Sequence, residues 1–161
     1  RAASREGVTE GLAGRETPRK GPLMSGKGIV LDAWAVMAFL EDEPAGVKVA
    51  EILAGASESD APIWISVVNL GEVFYILTRE IDEPQAERSI AKLLDLGIRV
   101  QDADWALTRM AAKLKAHYRM SYADCFAAAL AQQKDATLIT GDEEFRQVTS
   151  LVSIIFVHES T

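Results

Sequence analysis

The sequence predicts an α/β fold, a three-layer α/β/α sandwich around a central, mostly parallel sheet. Short segments that are apolar along their whole length, such as residues 63–66 and 136–140, are typical of strands buried on both faces of a sheet. Stretches with helical periodicity separate these segments, which is the pattern of parallel strands joined by helices. The 161 residues, of which 48% are hydrophobic and 25% charged, are enough for one domain with its own core.

Residues 1–27 are predicted to be a flexible tail or leader, and residues 28–161 a single domain. Residues 1–28 hold six Lys and Arg against three Glu, together with six of the eleven glycines. Such a composition buries too little apolar surface to order itself. Met24 stands just before the first predicted strand, which suggests that an upstream leader precedes the domain.

The first half of the domain is predicted to contain two strands and three helices. In chain order these are a strand over 28–32, helices over 33–43 and 45–56, a strand over 63–66 and a helix over 67–80. Pro44 and Gly55 are expected to end the first two helices. Ser66 is expected to cap the third, whose apolar face repeats at helical spacing from Val67 to Leu77.

The second half continues the alternation of helices and strands. The predicted elements are a helix over 84–96, a weak strand over 98–101, helices over 102–118 and 121–134, and strands over 136–140 and 152–157. Pro84 begins the first of these helices and Gly97 follows its end. No internal repeat is visible beyond the tail.

Two acids follow predicted strands directly. Asp32 ends the first strand, and Asp142 comes just after the strand over 136–140. In open parallel sheets, ligands bind outside the carboxyl ends of the strands. Asp32 and Asp142 are therefore expected at the same edge of the sheet, although the sequence around Asp32 offers it no obvious partner.

Structural explanations compete with a functional one for the other acids. Asp142 could cap a helix over 143–147, since Thr140 and Glu143 have the spacing of a capping box. Asp124 stands at the same spacing from Ser121. Glu72, one turn into its helix, could belong to a solvated face.

Taken together, the four carboxylates predict a divalent metal site. Two like charges at ~4 Å cost about 4 kcal/mol at an effective dielectric near 20, so four cannot share a cleft without a cation. Hard oxygen ligands suit Mg²⁺ or Mn²⁺. Zinc is disfavoured because His117, His158 and Cys125 lack any metal-ligand spacing.

Four motifs, in this order, resemble the PIN-domain ribonucleases, most closely the VapC-type toxins of bacterial toxin–antitoxin systems. They are VLDAWAVMAFL, SVVNLGEVFYIL, MSYADCFAAALA and LITGDEEF, and the resemblance spans residues 28–158. It implies a metal-dependent endoribonuclease that works with Mg²⁺ or Mn²⁺. It also implies a homodimer and a small antitoxin protein that covers the cleft.

The same resemblance assigns roles to individual residues. It implies that the metal-binding and catalytic acids are four residues distributed over the domain: Asp32, Glu72, Asp124 and Asp142. Thr140 would support them and Glu143 would be an auxiliary acid. Haloacid-dehalogenase-like phosphatases and response-regulator receivers fit less well, because their further acids and their late lysine are missing here.

Trp34 departs from the family pattern. Two residues after the first acid, the family usually places a small or hydroxyl-bearing residue. An indole at this position could crowd the cleft, stack on a substrate base or turn into the core. We expect the core position.

The net charge of −7 is unfavourable for binding nucleic acid, but one segment is locally basic. Residues 105–123 contain four bases and no acid. From them we predict Arg109, Lys113 and Arg119 as RNA-binding residues, with an ordinary solvated helix face as the alternative. A salt titration of RNA binding by Arg109→Ala and Lys113→Ala would test this prediction.

Two further functions stay open at this point. One is an RNA-processing or structure-specific nuclease of the same fold without an antitoxin. The other is a non-catalytic dimerising or binding module. The single Cys125 and the lack of a long apolar run predict a cytoplasmic protein that is not in the membrane.

Overall fold

Five parallel strands form one sheet in the order β3-β2-β1-β4-β5 in this computed structural model, which describes residues 26–158. The elements are β1 (Ile29–Leu31), α1 (Ala33–Leu40), α2 (Pro44–Glu58), β2 (Ile63–Ser66), α3 (Val67–Glu80), α4 (Glu83–Asp95), β3 (Arg99–Gln101), α5 (Trp105–His117), α6 (Tyr122–Lys134), β4 (Thr137–Thr140), a 3₁₀ helix (Glu143–Val148) and β5 (Ile154–Phe156). The predicted α/β fold is confirmed, and every strand pair is parallel.

Helices cover both faces of the sheet. Alternate residues of β1 point to opposite sides, so Ile29 and Leu31 join one apolar core and Val30 the other. The first core is completed by buried residues of α1, α2, α3 and α4, such as Val36 and Val73. The second core is completed by α5 and α6, whose central residues include the fully buried Leu130. These two cores make the three layers of the sandwich.

The pairing of β1 with β4 brings the two ends of the sequence together. Leu31 lies opposite Ile139 in the parallel register, so the residues that follow them lie side by side at the carboxyl edge of the sheet. These residues are Asp32 and Thr140, and both are fully buried. The first strand and the fourth therefore deliver polar side chains to one point at the carboxyl edge.

Several predicted helix boundaries were wrong. The first helix ends at Leu40, because Asp42 has a φ of 55° in the left-handed region and cannot continue it. Pro44 is the first residue of α2, where its missing N–H costs nothing. Gly55 lies inside α2, which continues to Glu58 and stops before Asp60, another left-handed residue with a φ of 54°.

The helix predicted over 102–118 begins later, at Trp105, since Asp104 caps it by accepting a hydrogen bond from the backbone N–H of Leu107. The capping of α3 by Ser66 is confirmed. Apart from Gly26 and Lys27, the predicted tail lies outside the described residues. Among residues 26–158, every helix is too short or too polar to cross a lipid bilayer.

Candidate metal centre

An open cleft of about 540 Å³ lies at the carboxyl edge of the sheet, and we call it the acidic cleft. Six acidic residues line it: Glu41, Glu43, Glu72, Asp124, Asp142 and Glu144. An apolar wall formed by Trp34 and residues of α1 and α3 faces them. Three of the four predicted acids, Glu72, Asp124 and Asp142, thus face the same space.

Asp32, the fourth predicted acid, lies beneath the cleft and is only 1% exposed. Its Oδ1 accepts a hydrogen bond of 2.8 Å from the backbone N–H of Ala35, and its Oδ2 accepts one from the hydroxyl of Thr140. Asp32 therefore caps α1, a local partner that sequence reasoning did not find. One side chain is thus both the predicted metal-binding acid and the N-cap of α1.

Thr140 connects Asp32 to the loop that carries Asp142. Its hydroxyl donates to Asp32 and accepts a hydrogen bond of 3.0 Å from the backbone N–H of Asp142. Asp142 in turn caps the 3₁₀ helix by accepting from the N–H of Glu144 at 2.9 Å. The structural and the functional explanations of Asp142 are thus compatible. Thr140 lies between Asp32 and the Asp142 loop, and its supporting role stays a prediction.

A second buried connection fixes the helices that carry Glu72 and Asp124. Asn69 is fully buried, and its Nδ2 donates a hydrogen bond of 3.1 Å to the carbonyl of Ala123, next to Asp124. The hydroxyl of Ser66 donates to Asn69 Oδ1 and also accepts from the Asn69 N–H. Ser66 and Asn69 are buried polar residues that were not predicted as site residues. The only signal in the sequence is an Asn within a largely apolar helical segment.

Three carboxylates come close enough to hold one ion. One oxygen from each of Asp124, Asp142 and Glu144 lies within 4.8 Å of the others. Glu143 had been predicted as the auxiliary acid, but it is exposed and pairs with Arg146 and, at 3.4 Å, with His158. The loop turns Glu144 into the cluster instead. In the tight turn of a 3₁₀ helix, successive side chains point in directions about 120° apart, so only one of the two can face the cleft.

The pKa values of these acids are raised first by burial and then by the neighbouring negative charges. Burial raises the pKa of Asp32 from its ordinary 3.8 to about 7, against the opposing effect of its hydrogen bonds. Burial also raises the pKa of Asp124 to about 6, and the negative charges of neighbouring carboxylates add to both shifts. The pKa of Glu72 is raised as well, first by burial and then by the charge of Asp142.

Glu72 provides an independent indication of a cation site. Its Oε2 is buried and has no hydrogen-bond partner among residues 26–158. A buried carboxylate oxygen without a donor is costly, and such groups in folded proteins are normally paired or bound to a metal. The oxygen-only donor set of the cleft fits a hard divalent ion such as Mg²⁺ or Mn²⁺.

Trp34 lies at the boundary between core and cleft. It is half-buried, packs against the first core and also lines the acidic cleft. Its ring lies against Gly141, where an added Cβ would stand 2.3 Å from the indole Cη2. The indole is thus held between the core and the loop that carries Asp142, and only glycine at position 141 leaves room for it.

Replacing Gly141 with Ala is expected to lower the free energy of unfolding by about 1–3 kcal/mol, because the new methyl group overlaps the indole of Trp34. Gly71→Ala is the matched control. No atom lies within 4 Å of a Cβ at that helical position, so we expect a gain of about 0.5–1 kcal/mol there. Urea unfolding measures both. An equal response of the two variants would contradict the contact, and adding Trp34→Ala to Gly141→Ala should recover part of the loss.

The three predicted RNA-binding residues differ in their position relative to the acidic cleft. Arg109 and Lys113 are exposed on α5 and line neither the acidic cleft nor the pocket beside it. Arg119 lies in the loop between α5 and α6 and lines that second pocket, which shares Glu144 with the cleft. Of the three predicted residues, only Arg119 lines a space that shares a carboxylate with the acidic cleft, and the RNA-binding role of all three stays a prediction.

Comparison with known proteins identifies a family and several solved structures that this chain is similar to. The profile of the PIN domain family matches residues 29–151. Comparison of the sequence with curated proteins finds no significant match. Similar solved structures include DNA-bound VapBC from Salmonella typhimurium, with a TM-score of 0.65 and 13% identity, covering 81% of this chain and 98% of that one.

Two other solved structures have the same fold. VapBC2 from Rickettsia felis, bound to a DNA fragment from its promoter, has a TM-score of 0.64 at 19% identity and covers 81% of this chain and 98% of that one. VapC20 from Mycobacterium tuberculosis, described as a sarcin–ricin loop cleaving toxin, has a TM-score of 0.60 at 20% identity, covering 75% of this chain and 95% of that one. The family match covers most of the chain, and the chain belongs to the PIN domain family.

Proposed function

We propose that the chain is a metal-dependent endoribonuclease that hydrolyses RNA phosphodiester bonds, and that the domain over residues 28–161 carries the activity. The observation that supports this most directly is the meeting of Asp124, Asp142 and Glu144 within 4.8 Å at the carboxyl edge of a parallel sheet. The unpartnered buried oxygen of Glu72, facing the same cleft, adds to it.

Mg²⁺ or Mn²⁺ would be held by four acids from both halves of the chain, which are Asp32, Glu72, Asp124 and Asp142. Glu144 would be an additional ligand. When bound, the ion would supply charge neutralisation at the phosphate and a lower pKa for the attacking water. The carboxylates of the cleft orient that water by accepting its hydrogen bonds. Water attacks phosphorus in line and the P–O3′ bond breaks, so the products carry a 5′-phosphate and a 3′-hydroxyl.

Thr140 and Asn69 are positioning residues in this proposal. The Thr140 hydroxyl holds Asp32 relative to the Asp142 loop, while Asn69 holds α3 against α6. Both are fully buried, so their hydrogen bonds are not exchanged with bulk water. The acids are thereby preorganised before substrate arrives.

We infer that the nuclease is the toxin of a toxin–antitoxin pair and acts as a homodimer in the cytoplasm. Solved relatives with the same fold are described as VapBC assemblies, which supports a small antitoxin partner. An RNA-processing nuclease without an antitoxin would have the same cleft. The identity of the neighbouring gene separates the two, since a toxin is encoded beside a short antitoxin.

The test is cleavage of single-stranded or loop RNA by the purified chain. We expect cutting with Mg²⁺ or Mn²⁺, no cutting in excess chelator, and recovery when metal is restored. End-group analysis should find 5′-phosphates. Unchanged cleavage in excess chelator, or products ending in a 2′,3′-cyclic phosphate, would refute the proposed chemistry.

The two neighbouring glutamates make a matched pair for testing the metal cluster. Glu144→Gln should raise the Mg²⁺ concentration for half-maximal cleavage about tenfold, the size of effect seen when a group supporting a metal is removed. Glu143→Gln should change it less than twofold, because its carboxylate pairs with Arg146 outside the cluster. A metal titration of cleavage measures both. If Glu143→Gln has the larger effect, the loop presents the other acid to the metal.

A further inference from the structure

A second pocket of about 660 Å³ lies beside the acidic cleft, and we call it the basic pocket. Three basic side chains line it: Lys115, His117 and Arg119. Ser121 and Glu144 belong to the lining of both spaces, so the basic pocket continues directly from the metal-binding side of the cleft. An extended ligand that leaves the cleft past Glu144 therefore enters a basic environment.

The wall of the basic pocket is held in place by side chain to backbone hydrogen bonds. Gln147 accepts from the N–H of Arg119 and donates to its carbonyl, both at 3.1 Å, and donates to the carbonyl of Glu144 at 3.0 Å. Lys115 Nζ donates a hydrogen bond of 2.7 Å to the carbonyl of Met120. The loop that carries Arg119 is thus fastened to the 3₁₀ helix that carries Glu144.

The cations of the pocket are available to a ligand. Neither Lys115 nor Arg119 forms an ion pair with an acid in the described part of the chain. Arg119 makes its contacts with Gln147 through backbone atoms only, which leaves its guanidinium free of that clamp. His117 Nδ1 lies 2.8 Å from the carbonyl of Lys113, so Nδ1 carries the proton and Nε2 remains for another partner.

We propose that the basic pocket binds the backbone phosphate next to the scissile one on a single-stranded RNA. This rests on the proposed function, which puts the scissile phosphate in the acidic cleft. Arg119 and Lys115 provide the charge, since a guanidinium and an ammonium both bind phosphate oxygens strongly. Gln147 is a positioning residue. An acidic segment of a protein partner is the competing ligand, but continuity with the cleft favours one strand that occupies both spaces.

The test uses a short single-stranded RNA that the wild-type protein cuts at one site. One linkage at a time on either side of that site is replaced by an uncharged methylphosphonate. At one of these linkages, the wild type should lose about tenfold in kcat/KM, because a charge-assisted hydrogen bond is lost. Arg119→Gln should raise KM about tenfold on the unmodified RNA, with kcat within twofold, and should be insensitive to that linkage.

Arg88→Gln on α4 is the matched control, because Arg88 is exposed and lines neither space. It should behave like the wild type. Lys115→Met is the second charge variant and should show the same loss of sensitivity as Arg119→Gln. Gln147→Leu keeps every charge but frees the loop that carries Arg119, so it should raise KM. In salt titrations, loss of one phosphate contact should reduce the slope of log affinity against log salt by about 0.7.

The outcomes distinguish this proposal from the one on which it rests. If the wild type does not cut RNA with Mg²⁺ or Mn²⁺, the proposed function fails. If the wild type cuts but Arg119→Gln has an unchanged KM, or stays as sensitive to the neutral linkage as the wild type, only the phosphate pocket is refuted. A variant that cuts normally but no longer binds a protein partner would assign the basic pocket to that partner instead.

Discussion

Asp142→Asn is expected to lower RNA cleavage by about a thousandfold while the protein stays folded. Asp142 lies in the three-carboxylate cluster, and its replacement removes one negative ligand atom from the proposed metal site. A bound metal stabilises the transition state by several kcal/mol, and each 1.36 kcal/mol lost from that stabilisation lowers the rate tenfold. Asn caps helices as well as Asp does, so the hydrogen bond from the Glu144 N–H is kept. Steady-state cleavage and circular dichroism measure the two effects.

Asp32→Asn should lower RNA cleavage by a similar factor, although Asp32 occupies a different position. Asp32 is buried beneath the cleft, where its two oxygens hold Ala35 and Thr140. Asp95→Asn on the exposed end of α4 is the matched control and should cleave like the wild type. If Asp32→Asn and Asp142→Asn both retain cleavage within tenfold of the wild type, the acids only cap their helices, and the proposed site is elsewhere.

The sequence was sufficient to bring Asp32 and Asp142 together. Apolar strands separated by helices implied a parallel sheet, and acids that follow such strands share its carboxyl edge. What the sequence could not provide was the strand order. That β1 and β4 are neighbours depends on contacts between residues more than a hundred positions apart. The neighbouring strands are what allow Thr140 to bond Asp32 directly.

The orientation of individual side chains was harder to predict than their location. Glu143 and Glu144 follow Asp142 in one short segment, and the sequence alone does not say which of them turns to the cleft. The hydrogen bonds from the Asp142 N–H to Thr140 and from the Glu144 N–H to Asp142 help to set that turn. On α3, the predicted apolar face began at Val67, yet Val67 is 40% exposed and the residues buried there are Asn69, Val73 and Leu77. The buried face of α3 therefore includes a hydrogen-bonded asparagine and lies part of a turn away from the predicted apolar face.

Asp32 and Asp142 also cap helices, and only the cap by Asp142 was considered from the sequence. Asp32 and Asp142 each bond a backbone N–H at the start of a helix, which a search for metal ligands alone does not reveal. A capping role and a ligand role use different lone pairs of one carboxylate, which offers about four acceptor sites. The two explanations weighed against each other in the sequence are therefore both compatible with the structure.

Without metal, the protein is expected to lose thermal stability as the pH rises from about 4 to about 8. The pKa of Asp32 is near 3.8 when the chain is unfolded and about 7 in the folded protein, because burial disfavours its charged form. Between these values the folded state holds a proton that the unfolded state has released. Stability then falls with rising pH, and the loss is complete above pH 7. Asp124, with its pKa raised to about 6, acts in the same direction over a narrower range.

Comparison of variants isolates this effect from other titrations. Asp32→Asn cannot ionise, so the difference in melting temperature between it and the wild type in chelator should grow by about 5–10 °C from pH 4 to pH 8. Asp95→Asn should follow the wild type at every pH. Adding Mg²⁺ should raise the melting temperature of the wild type more at pH 8 than at pH 4, because the ion binds the deprotonated acids. A constant difference between Asp32→Asn and the wild type across this range would show that Asp32 is no more costly to ionise in the folded protein than in the unfolded chain. The buried acid would then provide no driving force for recruiting a cation, whereas a growing difference closed by Mg²⁺ would tie the stability of the fold to the occupancy of the cleft.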